Sequence, residues 1–137
     1  MSDCIFCRIV RGDIPSSKVY EDETCVAFLD IGPLAWGHTL VIPKVHYEHL
    51  GEMPADEVAK LASALPKLVT AVLAATGAKG LNVLQNNGLV AGQVVAHLHV
   101  HLIPRVEGDG LGYRWPARKY PEGEMEVMHR KVLAALE

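Results

Sequence analysis

The chain has 137 residues, half of them apolar, enough to bury a sizeable core in a single domain, so 1–137 is read as one domain with 106–137 as a C-terminal tail and helix. A formal net charge of −3, without a basic stripe or a Lys/Arg run, argues against a long nucleic-acid partner and for a small ligand or a protein. The first residues lack the basic start and apolar run of a secretion signal and no stretch reads as a membrane span, which predicts a cytoplasmic protein.

Three cysteines cannot all pair within one chain. In a reducing compartment the close pair Cys4 and Cys7 points to a metal more than to a bridge, and Cys25, between Thr24 and Val26, to the core. Val19-Tyr20 and 24–29 read as strands around the acidic turn Glu21-Asp22-Glu23, and 39–42, stopped by Pro43, as a third, forming an antiparallel meander. From 54 to 76 the period changes: Val58, Leu61, Leu65, Leu68, Val69 and Val72 recur at helical spacing, with Gly77 past the end. Pro66 removes a backbone donor within that helix and should bend or split it. A short apolar strand over 81–85, the turn Asn86-Asn87-Gly88 and an alternating run over 93–103 follow, then a helix over 122–136. Together these predict an α+β fold, an antiparallel sheet of about five strands with one long helix and a short C-terminal one.

On a strand the alternation would set Gln93, His97, His99 and His101 on one face and Leu98, Val100 and Leu102 on the other. Neighbouring imidazoles would then stand about 6.6 Å apart, close enough to share one ligand. Three readings compete: a polar sheet face, a zinc or iron site, and a nucleophilic centre. Metal catalysis has no carboxylate on this strand to complete it, because Glu107 lies beyond Pro104. Nucleophilic catalysis needs an unprotonated imidazole near neutral pH, which an ordinary histidine pKa of about 6.5 supplies.

The segment His97-Leu98-His99-Val100-His101-Leu102-Ile103 resembles the signature of the histidine triad family of nucleotide hydrolases and transferases. The likeness extends to Cys4-Ile5-Phe6-Cys7, Phe28-Leu29-Asp30-Ile31, Gly37-His38-Thr39-Leu40-Val41-Ile42-Pro43-Lys44, Asn86-Asn87-Gly88 and Gly92-Gln93. The resemblance implies that His99 is the nucleophile, that His101 and His97 orient and tune it, and that His38 is the family's fourth histidine. It implies a nucleoside pocket of Phe6, Ile9, Phe28, Leu29 and Ile31, with Asp30 on the ribose hydroxyls and Asn86, Gln93 and the backbone near His99 on phosphate oxygens. Read without the family, those apolar residues are core and Asp30 is a turn residue.

Similar members with this cysteine pair place a structural zinc on two cysteines, a histidine matching His46 and the first triad histidine, His97. Otherwise His46, His49 and His129 read as surface residues. The resemblance further implies a small-molecule nucleotide substrate, adenine favoured, no metal in the chemistry, and a two-fold dimer in which a tail residue, for which Trp115 is the candidate, reaches the partner's site. Val94 stands where phosphoramidate-cleaving members often carry a serine, and Ile103-Pro104-Arg105 looks more like the branch that cleaves dinucleoside polyphosphates, while the short tail with Trp115-Pro116 resembles the phosphoramidase branch. Two alternatives stand beside a covalent histidine enzyme: a non-catalytic nucleotide sensor, and a zinc-dependent hydrolase using the triad as metal ligands.

Overall fold

A computed structural model describes residues 4–112 and 115–137. It opens on an element the sequence reading did not contain, a two-turn helix α1 (Ile5–Arg11). The Cys4 sulfur caps it by accepting the Cys7 amide at 3.5 Å, and Gly12, at φ 83°, ends it where a side chain would be strained. Phe6 and Ile9 share its buried face.

Strands β1 (Lys18–Glu21), β2 (Cys25–Leu29) and β3 (Thr39–Pro43) form the expected meander. Asp22 sets the first turn: its carboxylate accepts the Thr24 and Cys25 amides at 2.7 and 2.9 Å and the Tyr20 hydroxyl at 2.7 Å. Burial pushes this carboxyl up, but those donors outweigh it and hold the group below the usual carboxylate range.

The long helix is two helices, α2 (Ala55–Ser63) and α3 (Leu65–Thr76), parted at Ala64. Pro66 occupies the second position of α3, where its missing N–H leaves no helical bond unmade, so the split absorbs the proline. Taken together, 55–76 is long and apolar enough by composition to cross a membrane, contrary to the sequence reading. Here it carries Asp56, Glu57, Lys60 and Lys67 outward and lays Leu61, Ala64, Leu68 and Val72 on the sheet.

β4 (Gly80–Gln85) and β5 (Val100–Arg105) complete a five-stranded antiparallel sheet in the order β1-β2-β3-β5-β4. The fifth strand is shorter than the alternation predicts: it begins at Val100, and Pro104 lies within it opposite Leu81. Side-chain alternation divides the core. Cys25, Ala27, Val41, Val100 and Leu102 face α2 and α3, whereas Val26, Phe28, Leu40 and Ile42 face α1. Helix α1 covers only one end of its face, and the space beyond it is the cavity described below. The last helix, α4 (Glu124–Leu136), buries no residue.

Candidate functional site

Residues 93–99 are not strand, so His97 and His99 approach β5 from outside the ladder. Their alternation nonetheless survives, because other backbone groups hold the segment. The Leu98 amide donates to the Tyr47 carbonyl at 2.7 Å, and His97 Nε2 donates to the Pro43 carbonyl at 2.9 Å. Leu98 therefore enters the α2/α3 core while His97, His99 and His101 turn to the α1 side. His97 is fully buried and His99 nearly so.

Hydrogen-bond partners fix the imidazole tautomers, since a carbonyl only accepts and an amide N–H only donates. His99 Nδ1 lies 2.7 Å from the His97 carbonyl, so Nδ1 carries the proton and Nε2 keeps its lone pair. The Leu34 amide donates to His38 Nδ1 at 3.0 Å, which places the His38 proton on Nε2, 3.0 Å from His101 Nδ1. His101 then carries its own proton on Nε2. Its ring stands 4.9 Å from that of His99, centre to centre. Burial pushes the His101 pKa down to about 4, helped by the neighbouring His99 and His38 rings, and burial likewise lowers that of His38 against the pull of Asp30. The pair is neutral at physiological pH.

Asp30, His38 and His101 are close enough to hold a metal ion. The wiring opposes it: with Leu34 occupying His38 Nδ1, the ring can offer Nε2 to a metal only as an imidazolate. His38 and His101 form a hydrogen-bonded relay, and the Asp30 carboxylate, 3.6 Å from His38 Nε2, acts on it through its charge alone.

The other His/Cys cluster has the opposite character. With His97 Nε2 bound to Pro43, His97 Nδ1 is a free lone pair, and it faces Cys4 Sγ at 3.4 Å, Cys7 Sγ at 3.6 Å and His46 Nδ1 at 3.1 Å. Cys7 Sγ lies 3.3 Å from His46 Nδ1, and all four ligand atoms lie within 4.8 Å of one another. Neighbouring ligands of a tetrahedral zinc stand about 3.3–3.8 Å apart, so this set fits that ion. His46 is thus no surface residue; it is half-buried in the cluster. His129 is exposed, whereas His49 is half-buried, 3.6 Å from Glu52 and outside this cluster.

A cavity of about 350 Å³ opens beside the triad. Phe6, Ile9, Phe28, Leu29, Asp30, Ile31, His99 and His101 all line it, as the resemblance implies. Phe6 stands edge-on to His99 with ring centres 5.1 Å apart, and to Phe28 at 5.6 Å. Ile31 is almost fully exposed at the rim. Of the two amide side chains, neither lines the cavity. Gln93 is buried and braces a loop, its Oε1 accepting the Gly88 amide at 2.7 Å and its Nε2 donating to the Glu48 carbonyl at 2.8 Å. Asn86 lies against Gly92, where an added Cβ would stand 3.5 Å from its Nδ2. Ile5, Ile14, Pro15 and Val95, which sequence reasoning missed, join Leu40 and Val94 in the apolar wall. The backbone partners Leu34, Pro43 and Tyr47 were equally unforeseen, since a carbonyl or amide leaves no mark in the side-chain pattern. Trp115 is largely exposed.

A family model for the HIT domain matches residues 11–108. The chain belongs to the HIT family. It is 49% identical over 110 residues to a protein named adenylylsulfatase HINT3 from Arabidopsis thaliana, covering 80% of this chain and 56% of that one, so it spans little more than half of that relative's length. It is 42% identical over 137 residues to adenosine 5′-monophosphoramidase HNT1 of Candida albicans, covering 96% of this chain and 90% of the relative. Among solved structures, a zinc-bound histidine triad family protein from Mycobacterium smegmatis superposes with a TM-score of 0.76 at 40% identity, covering 98% of this HIT chain and 96% of that one.

Proposed function

We propose that this HIT protein hydrolyses or transfers a nucleoside monophosphate group, adenylyl by preference, through a covalent intermediate on His99. The observation that carries the reading is the bond from His99 Nδ1 to the His97 carbonyl, which in the neutral ring sets the lone pair on Nε2 of a histidine that lines the cavity. The base packs between Phe6, Ile9, Phe28, Leu29 and Ile31, and Asp30 accepts from the ribose hydroxyls. His99 Nε2 attacks phosphorus, the bond to the leaving group breaks, and the leaving group departs with the electron pair and takes a proton from solvent, since Val94 offers no hydroxyl. His101 Nε2–H, aligned by His38, hydrogen-bonds the phosphoryl oxygens as charge builds on them. Gln93 acts through the loop it braces. Water then attacks phosphorus, returns His99 to its starting state and releases the nucleoside monophosphate.

The names of the two relatives support this class of reaction. No Lys or Arg lines the cavity among the described residues, which favours a phosphoramidate or mixed anhydride over a polyanionic dinucleoside polyphosphate. Zinc on Cys4, Cys7, His46 and His97 would be structural, and no step of the reaction runs through it. The two-fold dimer is supported by the exposed apolar residues of α4, Met125, Met128, Val132 and Leu136, and by the half-exposed Val83 on edge strand β4; light scattering tests it.

The deciding experiment offers adenosine phosphoramidate, adenylyl sulfate and diadenosine tri- and tetraphosphate to the purified protein and to His99→Ala. Turnover of at least one substrate, an adenylyl adduct on His99 by mass spectrometry, and a loss of about a thousandfold or more in His99→Ala are expected. Binding of AMP without any turnover would establish the sensor reading in its place. Near-normal turnover by His99→Ala would remove the nucleophile.

A further inference from the structure

The cavity and the Cys/His cluster share one structural member, the first turn of α1. Phe6 sits between Cys4 and Cys7 in the chain and packs edge-on against both His97, at 5.8 Å, and His99, at 5.1 Å between ring centres. The sulfurs on either side of it hold the turn to His97 and His46. We propose that Cys4 and Cys7 form an oxidation site, and that the disulfide between them weakens nucleotide binding by releasing this turn from the triad; the proposal rests on the nucleotide reading of the cavity.

The geometry suits the bond. Cys4 caps the helix turn that carries Cys7, with the Cys7 amide on its sulfur, and the two Sγ atoms already lie within 4.8 Å of each other. Both residues are half-buried, whereas the third cysteine, Cys25, is fully buried and out of an oxidant's reach. A low-molecular-weight disulfide such as oxidised glutathione is the oxidant. One cysteine sulfur attacks it and expels one thiol, and the second sulfur displaces the other, so two electrons pass to the oxidant, which leaves as two thiols bearing the two cysteine protons. The sulfurs, turned toward each other, give up their contacts with His97 and His46. A metal held by the four residues loses two of its ligands and dissociates, and Phe6 moves with the turn.

The test compares the full chain carrying Cys25→Ala, reduced and after oxidised glutathione, with peptide mapping of the wild-type protein in parallel. The readouts are free thiols, zinc released to a coloured chelator, and AMP affinity by calorimetry. Expected are loss of both thiols, a Cys4–Cys7 linkage in the wild-type map, release of zinc, and AMP binding weakened about tenfold, restored by reductant with zinc. Thiols that persist, a stable glutathione adduct, or a disulfide that leaves zinc and AMP affinity unchanged would each overturn the proposal. Reduced protein that does not bind AMP at all would instead overturn the nucleotide reading on which it rests.

Discussion

At the scale of single residues, the site depends on groups that face away from the cavity. Gln93 serves it by holding the Gly88 amide and the Glu48 carbonyl together, and removing its amide would break both of these part-buried bonds. Gln93→Ala should therefore cost about 1–3 kcal/mol of stability in urea unfolding. The relay of His38 and His101 makes a second prediction, in pH. Both rings are neutral when folded because burial lowers their pKa values, that of His101 from 6.5 to about 4. Between those values the unfolded chain takes up protons that the folded chain does not, so the part of the stability that these rings govern falls as pH drops through that interval. Thermal melts across that range will show the slope, and His101→Gln should reduce it, while His38 and His97, also lowered by burial, keep their share. The alternation in the sequence revealed the three histidines and their common face. It could not reveal which nitrogen of each carries the proton, because Pro43, Leu34 and the His97 carbonyl decide that through the backbone.

At the scale of elements, the meander, the helical run over 54–76 and the C-terminal helix were legible because their apolar periods and their Gly and Pro breaks are strong, although the run was read as one bent helix and is two. Strand β5 is the instructive difference. Its predicted first half, 93–99, keeps the side-chain period of a strand, yet its amides bond to the 43–48 segment and to the Gly88 turn instead of a neighbouring ladder. Helix α1 was missed because seven residues give too short a period, and the spacing of Cys4 and Cys7 reads as a metal signal before it reads as a helical turn. The junction of α3 with β3 carries a sharp prediction. Gly37 sits at φ 98°, and a Cβ there would stand 2.6 Å from the Thr76 methyl. Gly37→Ala strains the backbone and drives the end of α3 from the start of β3, beside His38. A loss of about 2–5 kcal/mol and a reduced yield of folded protein are expected in denaturant titration.

At the scale of the whole molecule, the Cys/His cluster ties the first helix to the loop after β3 and to the approach of β5. Metal removal should act on stability before chemistry. Chelation of protein held at a metal concentration about a hundredfold above its dissociation constant should lower the melting temperature by about 10 °C. The apo-protein should show a raised KM with kcat largely kept, whereas a catalytic metal would take kcat with it; steady-state kinetics separates the two. The span of that tie has a consequence during synthesis. Cys4 is 93 residues from His97, and a ribosome adding about 5–20 residues per second needs roughly 5–20 s to make that stretch. For that interval the two thiols emerge ahead of their last partner, so a nascent chain meets oxidants and stray metal ions with its binding cluster unfinished.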